Sequence, residues 1–198
     1  MSRKSYTRKA AELISNLTLP PLLSIPAFLS INYYFLNFTD FLLISFTSIF
    51  FSALLPIMTM VIWSKKENID LDMPVKENRN VPLIIGIFIY FIGFLALMAL
   101  SAPLLTSALM FCYFSNSLIV YIINKHWKIS VHSMGVAGPT TALIFAFGPA
   151  GFIMGLILPL VMWSRVYLKR HTVTQVIAGA LLGFFLTTTQ LFIGYKLN

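Results

Sequence analysis

The chain has few charged residues, and acidic residues are absent from its whole C-terminal half. Only 10% of its 198 residues are charged, and none of the acidic ones follows Glu77. Soluble domains contain about 25% charged residues, and the mean hydropathy here is +0.85. This composition excludes an ordinary soluble domain and indicates an integral membrane protein. It also leaves few carboxylates for any site.

Cysteine is almost absent as well. Cys112 is the single cysteine and lies in an apolar stretch, which excludes an intrachain disulfide and a cysteine-based metal site. The basic segment Met1–Lys9 is not followed by a short apolar core with a small-residue cleavage site, so we predict an uncleaved first span. The net charge of +8 points to membrane orientation and lipid head groups rather than to nucleic acid.

Long uncharged stretches make up most of the chain. About 20 apolar residues cross a bilayer as a helix, and turn signals at Ser101-Ala102-Pro103 and Gly148-Pro149-Ala150-Gly151 divide the longest stretches. We predict an all-α fold: one polytopic transmembrane helical domain over residues 1–198, with six to seven spans. The expected spans are Leu13–Leu36 (kinked by its prolines), Phe41–Trp63, Val81–Leu100, Leu104–Ile123, Ser133–Phe147, Phe152–Tyr167 and Val173–Tyr195.

Seven spans would place four polar segments on one side of the membrane. These are the N-terminus, Ser64–Asn80, Lys125–His132 and Arg165–His171. Every lysine and arginine except Lys196 falls in them. An excess of Lys and Arg in short loops marks the cytoplasmic side, so we expect a multi-pass protein of the cell membrane with this face in the cytoplasm.

The same face collects the residues suited to chemistry. Arginine presents a planar fork to phosphate oxygens and lysine adds a point charge, while a histidine can act as nucleophile or general acid. Their grouping favours phosphoryl chemistry on a lipid, although the basic residues taken singly could be topological anchors. The candidates are Lys76, Arg79, Ser130, His132, Arg165 and His171.

Two short signatures give these residues an order. Ser164-Arg165 is followed by five residues and then His171, and Ser130 precedes His132 by two positions. This pattern resembles the type 2 phosphatidic acid phosphatase superfamily, whose second and third motifs are Pro-Ser-Gly-His and Ser-Arg-x5-His-x3-Asp. The third motif matches best, the second is partial, and the first is represented only by a divergent stretch, Asp72–Pro82. The resemblance covers about residues 69–183.

The resemblance implies a polytopic helical phosphatase and a role for each matching residue. By position, His171 would be the nucleophile that forms a phosphohistidine, and His132 the general acid that protonates the leaving alkoxide. The phosphate would be held by Arg165, Ser130 and Arg79, with Lys76 as a possible substitute for the lysine of the first motif. The resemblance implies no metal and no cofactor.

The main departure from the family pattern is Gln175. The family has an aspartate at this position, four residues after the nucleophile and on the same helical face, where it stabilises the imidazolium. Gln175 can accept the hydrogen bond of His171 but supplies no charge, and loss of such a carboxylate can slow catalysis by orders of magnitude. We therefore expect a divergent, slow or specialised phosphatase in which Gln175 supports His171.

Other functions stay open at this stage. A catalytically weak or inactive protein that binds lipid phosphate fits the same residues. A membrane prenyltransferase fits the acidic stretch 67–72, but such enzymes need a second acidic loop, and no acidic residue follows Glu77. A transporter is disfavoured because its spans would need ionisable residues. The expected partner is a lipid phosphate in the bilayer, either polyprenyl or glycerolipid; the residues do not specify the oligomeric state.

Overall fold

The described chain is built of helices. This computed structural model describes residues 3–70, 75 and 77–196, and every regular element in those ranges is helical, which confirms the all-α prediction. Short 3₁₀ segments cover Glu77–Arg79 and Gly148–Ile157, and a π-helical turn covers Phe50–Leu54. Within the described ranges the α-helices are α1 (Arg3–Leu17), α2 (Pro20–Phe35), α3 (Phe38–Ile49), α4 (Leu55–Glu67), α5 (Asn80–Ala99), α6 (Leu104–His126), α7 (Val131–Phe147), α8 (Leu158–Tyr167) and α9 (Val173–Lys196).

Five helical runs among the described residues are long and apolar enough to cross a membrane, as expected for a multi-pass protein. A sixth span results if α1 and α2 are counted together, although these helices meet at an angle of 52°. The kink that the prolines predicted for the span Leu13–Leu36 is therefore present, and it takes the form of a break between two helices. Pro20 and Pro21 start α2 instead of bending a continuous helix, because proline lacks the N–H that an interior position needs and suits the first helical turn.

The run Val131–Tyr167 is one of the five, yet it folds back on itself. Gly148 ends α7 with a φ of +62°, a conformation that L side chains rarely adopt. Beyond this turn, Gly155 packs against Thr140 and Val161 against Val136. The two legs are antiparallel, with α7 about 25 Å long and the return leg about 35 Å. The reversal lies where the sequence predicted a turn.

Helix α9 returns parallel to α7 and packs closely against it. A Cβ atom on Gly179 would lie 2.4 Å from the carbonyl oxygen of Ser130, and one on Gly183 would lie 2.8 Å from that of Met134. Small residues four positions apart allow two membrane helices to approach in this way. Because the contacts advance in the same direction along both helices, the N-termini of α7 and α9 lie at the same end of the bundle.

The main apolar core lies between α2, α5, α6 and α7. It is formed by fully buried side chains, and aromatic residues of α5 and α6 pack around it. In the neighbouring run α3–α4, the π-helical turn brings Phe51 against Gly93 of α5, where an added Cβ would come within 2.6 Å of the phenylalanine. The largest fully buried members of this core are Phe28, Ile31, Leu97, Leu105, Leu109, Met110 and Leu191.

Candidate active site

The two sequence signatures meet at the shared end of α7 and α9. The backbone N–H of Ser130 donates to the carbonyl oxygen of Gln175 across 3.3 Å. The fully buried Ser130 hydroxyl oxygen caps α7, accepting from the N–H of Ser133 at 3.3 Å and from its hydroxyl at 3.1 Å. Ser130 therefore ties the first turn of α7 to the first turn of α9. Its own hydroxyl hydrogen remains available as a donor.

His171 lies just before α9 and is held by Gln175. Its Nδ1 is 3.2 Å from the Gln175 Oε1 atom, and that oxygen also accepts from the N–H of Thr172 at 3.1 Å. An N–H group donates only to an acceptor, so the shared atom is the amide oxygen and Nδ1 of His171 carries the proton. The other ring nitrogen, Nε2, is left with a lone pair and is buried without a hydrogen-bond partner.

Gln175 also has a local structural role. Its N–H donates to the Thr172 hydroxyl at 3.3 Å, while its side chain accepts from the Thr172 N–H. This reciprocal pair is a capping box, in which Thr172 is the N-cap and Gln175 the third helical residue. A glutamine is thus well suited to starting α9, and the same oxygen serves both the cap and His171.

His132 lies in the first turn of α7, with 6% of its surface exposed. A hydrogen bond joins its ring to the backbone of Ser15 on α1, while its Nε2 atom is buried and has no hydrogen-bond partner. Because a backbone carbonyl only accepts, Nδ1 of His132 donates to Ser15 and Nε2 keeps its lone pair. Both histidines therefore present Nε2 at the same end of the bundle.

Two arginine side chains lie near both imidazoles. Arg165 is completely buried and donates from Nη1 to the Ser15 hydroxyl at 2.5 Å, and Arg79, at the start of α5, is 8% exposed. Burial lowers the pKa of His171 to about 3, with the positive charges of Arg79, Arg165 and Lys128 acting in the same direction. The hydrogen bond that His171 donates to Gln175 opposes this shift only in part, so His171 is neutral at pH 7.

Sequence reasoning missed Ser15 and did not place Lys128 at the site. Ser15 lies in an apolar helix far from both signatures and is 3% exposed; no motif marks it. Lys128 had a weak signal, since it precedes Ser130 by two residues, but it was interpreted only as a topological charge. In the structure its Nζ donates to the carbonyl oxygen of Arg170 at 2.7 Å, and its charge acts on His171.

Only part of the first motif lies within the described residues. Arg79 lies at the site as expected, whereas Lys76 and Asp72 are outside the described residues. Asp70, which follows α4, does contact the signature that ends at His171, because its carboxylate forms an ion pair with Arg170 at 3.1 Å. None of the described groups that shift the pKa of His171 is a carboxylate, and the described residues contain no cluster of three histidine, cysteine or acidic side chains suited to a metal ion.

The arrangement combines a neutral imidazole with a lone pair on Nε2, a second imidazole and several cations. An anion with several oxygen atoms, such as a phosphate, matches these donors in charge and geometry. The chain matches no family model, no curated protein and no solved structure.

Proposed function

We propose that the protein is a membrane-embedded lipid phosphatase that hydrolyses a lipid phosphate or polyprenyl diphosphate through a phosphohistidine. The observation that supports this most is the pair of buried imidazoles, His171 and His132, whose Nε2 atoms both lack a hydrogen-bond partner. Arg79 and Arg165 lie near enough to act electrostatically on both rings. Phosphoryl transfer to histidine requires a neutral nucleophile, a group that carries the proton and cations that bind the anion.

The proposed reaction has two steps. As the phosphate anion binds beside it, Nε2 of His132 takes up a proton. The Nε2 lone pair of His171 then attacks phosphorus, the bond from phosphorus to the lipid oxygen breaks, and Nε2 of His132 gives its proton to that oxygen. Water then attacks the phosphohistidine and gives its proton to His132, while the broken N–P bond returns its electron pair to His171. Throughout, Gln175 accepts from Nδ1 of His171 and Ser15 accepts from Nδ1 of His132. In this scheme the arginines balance the phosphate charge, and no metal is invoked.

A second function is favoured by one observation, which is Gln175 itself. The amide holds the tautomer needed for attack but adds no negative charge as the imidazole becomes cationic. The same geometry therefore also fits a protein that binds lipid phosphate and turns it over slowly or not at all. Binding needs only the cations, whereas turnover needs the transition state to be stabilised beyond the bound substrate.

We further propose that this end of the bundle faces the cytoplasm at the cell membrane. The support is the concentration of Lys and Arg in the segments that meet there. Labelling with a membrane-impermeant maleimide tests this in intact cells that express a Cys112→Ser background. Ser101→Cys, in the turn after α5, should be labelled from outside, whereas Glu67→Cys should react only after permeabilisation; the reverse pattern would invert the orientation.

The experiment for the activity is a phosphate-release panel on purified protein. Isoprenoid phosphates and glycerolipid phosphates are presented in the same detergent micelles, with and without a chelator. We expect release that survives the chelator and is lost in His171→Ala and His132→Ala. His126→Ala, which changes the remaining histidine at the exposed end of α6, is the matched control and should keep full activity. Binding without release would favour the second function, and release that persists in His171→Ala would overturn the mechanism.

A further inference from the structure

A half-open cavity adjoins the candidate active site at Arg79 and His132. Its outer part has a volume of about 130 Å³ and is lined at one end by Arg79 and His132. The remaining wall is apolar or weakly polar and includes Pro20, Leu83 and Tyr90. The phosphate-binding end and the apolar walls thus belong to one space, as required for a ligand with an anionic head and a hydrocarbon chain.

A second, inner cavity of about 60 Å³ continues this space. The two share Pro20, Leu83, Tyr90, Ser117 and Val131 in their walls. The inner part follows α7 from Val131 to Pro139, a distance of about 12 Å at the helical rise of 1.5 Å per residue. The cavity therefore runs from the site into the interior of the bundle, parallel to α7.

The wall of the inner cavity has one polar patch. Asn116, which lines it, donates to the Thr187 hydroxyl at 3.2 Å and accepts from Gln190 at 3.0 Å. These bonds join α6 to α9. Most of the remaining wall is apolar and includes Leu109 and Cys112, so it suits a hydrocarbon chain.

The volumes limit what can enter. An apolar cavity of about 150 Å³ accommodates one benzene ring, so the outer part holds roughly five carbon atoms and the inner part roughly two. Two acyl chains do not fit in a space of this size. We infer that the cavity binds about the first seven or eight carbons of a single hydrocarbon chain whose phosphate lies between Arg79 and His132. This inference rests on the proposed function for the identity of the head group.

Chain length is the variable that tests the inference. Alkyl phosphates with four, six, eight and ten carbons are assayed for phosphate release by the full-length protein. Burying each added CH₂ raises affinity by up to about fourfold, so kcat/KM should rise with length to about eight carbons. It should not rise further for dodecyl and tetradecyl phosphate. A two-chain glycerolipid phosphate in the same micelles should be at least tenfold poorer than decyl phosphate.

Ser117→Leu provides the structural test, because residue 117 lies where the two cavities join. The larger side chain should block the inner part, so kcat/KM for octyl and decyl phosphate should fall roughly tenfold or more relative to kcat/KM for butyl phosphate. Ser117→Ala is the matched control in size, and Ser115→Leu adds the same side chain to α6 outside both cavities. Ratios between variants cancel the partition of each substrate into detergent.

A measurement without turnover separates this inference from the proposed function. Decyl phosphate should raise the melting temperature of the protein more than butyl phosphate, and Ser117→Leu should remove the difference. That result without any phosphate release would support the chain-binding cavity and refute the phosphatase. Phosphate release that is independent of chain length, or unchanged by Ser117→Leu, would overturn the cavity inference and leave the phosphatase standing.

Discussion

Replacing Gln175 by glutamate tests the link between the site geometry and catalysis. Glutamate has the length of glutamine, so it can keep the capping box with Thr172 and place a carboxylate oxygen where the amide oxygen now lies, 3.2 Å from Nδ1 of His171. A carboxylate at that distance favours the protonated ring. We therefore expect it to raise the pKa of His171 from about 3 by about 1–3.

The expected gain in rate follows from the same shift. Each unit of pKa corresponds to about 1.4 kcal/mol of differential stabilisation of the imidazolium. If the imidazolium forms fully in the transition state, kcat should rise by about 10- to 1000-fold. Gln175→Asp should also raise kcat but by less. The aspartate side chain is one methylene shorter than glutamine, so its carboxylate lies further from Nδ1 of His171. Single-turnover release of phosphate measures the chemical step directly.

A matched control separates local from general electrostatics. Thr174→Glu adds the same charge to the same exposed helical turn, away from the Gln175 contact with His171, and should leave kcat within about twofold. If Gln175→Glu and Gln175→Asp both fold, bind phosphate and show the wild-type rate, then residue 175 does not support the nucleophile. The assignment of His171 by motif would then fail as well.

Three further predictions concern neighbouring contacts. Ser15→Ala removes the hydroxyl that accepts from Arg165, a bond of about 1.5–3 kcal/mol; kcat/KM should fall about tenfold or more and Ser15→Thr should restore it. In a histidine-labelled NMR titration, the His171 ring should stay neutral down to about pH 4, and protonation at a clearly higher pH would contradict the burial argument. The contribution of His171 to the free energy of unfolding should fall as the pH drops from 6.5 towards 3, because the unfolded chain then binds more protons than the folded protein. Gly179→Ala should destabilise the protein by about 1–3 kcal/mol in thermal unfolding, because its methyl group meets the Ser130 carbonyl, whereas Gly194→Ala meets nothing and should be neutral.

The fold was largely predictable because hydrophobicity and turn residues act locally. The turns at Ser101-Ala102-Pro103 and Gly148 lie where the sequence placed them. The prolines also marked the bend between α1 and α2, but not that Pro20 begins a new helix, because a proline can either kink a helix or start one and packing decides which. Here α1 packs against α8, which draws it away from the axis of α2 and leaves Pro20 at a helix start.

The site was predictable where residues lie close in sequence or follow a known spacing. His171 and Gln175 are one helical turn apart, so their contact could be expected. Ser15 could not be found in this way, because its partner Arg165 is remote in the chain and the contact depends on how α1 meets α8. The cavity beside Tyr90 and Ser117 likewise arises from five helices at once and has no sequence pattern of its own.

The positive potential at His171 leads to one more expectation. The charges of Arg79 and Arg165 act on His171, and a phosphate bound at the site would be attracted by the same potential. A glutamate at position 175 would compete for the same positive potential. Gln175→Glu should therefore weaken the binding of inorganic phosphate while it accelerates turnover, as measured by thermal shift and by single-turnover release. If phosphate binding and turnover both increase, the glutamine does not favour binding over catalysis. If phosphate binding and turnover both decrease, the role of Gln175 is confined to capping α9.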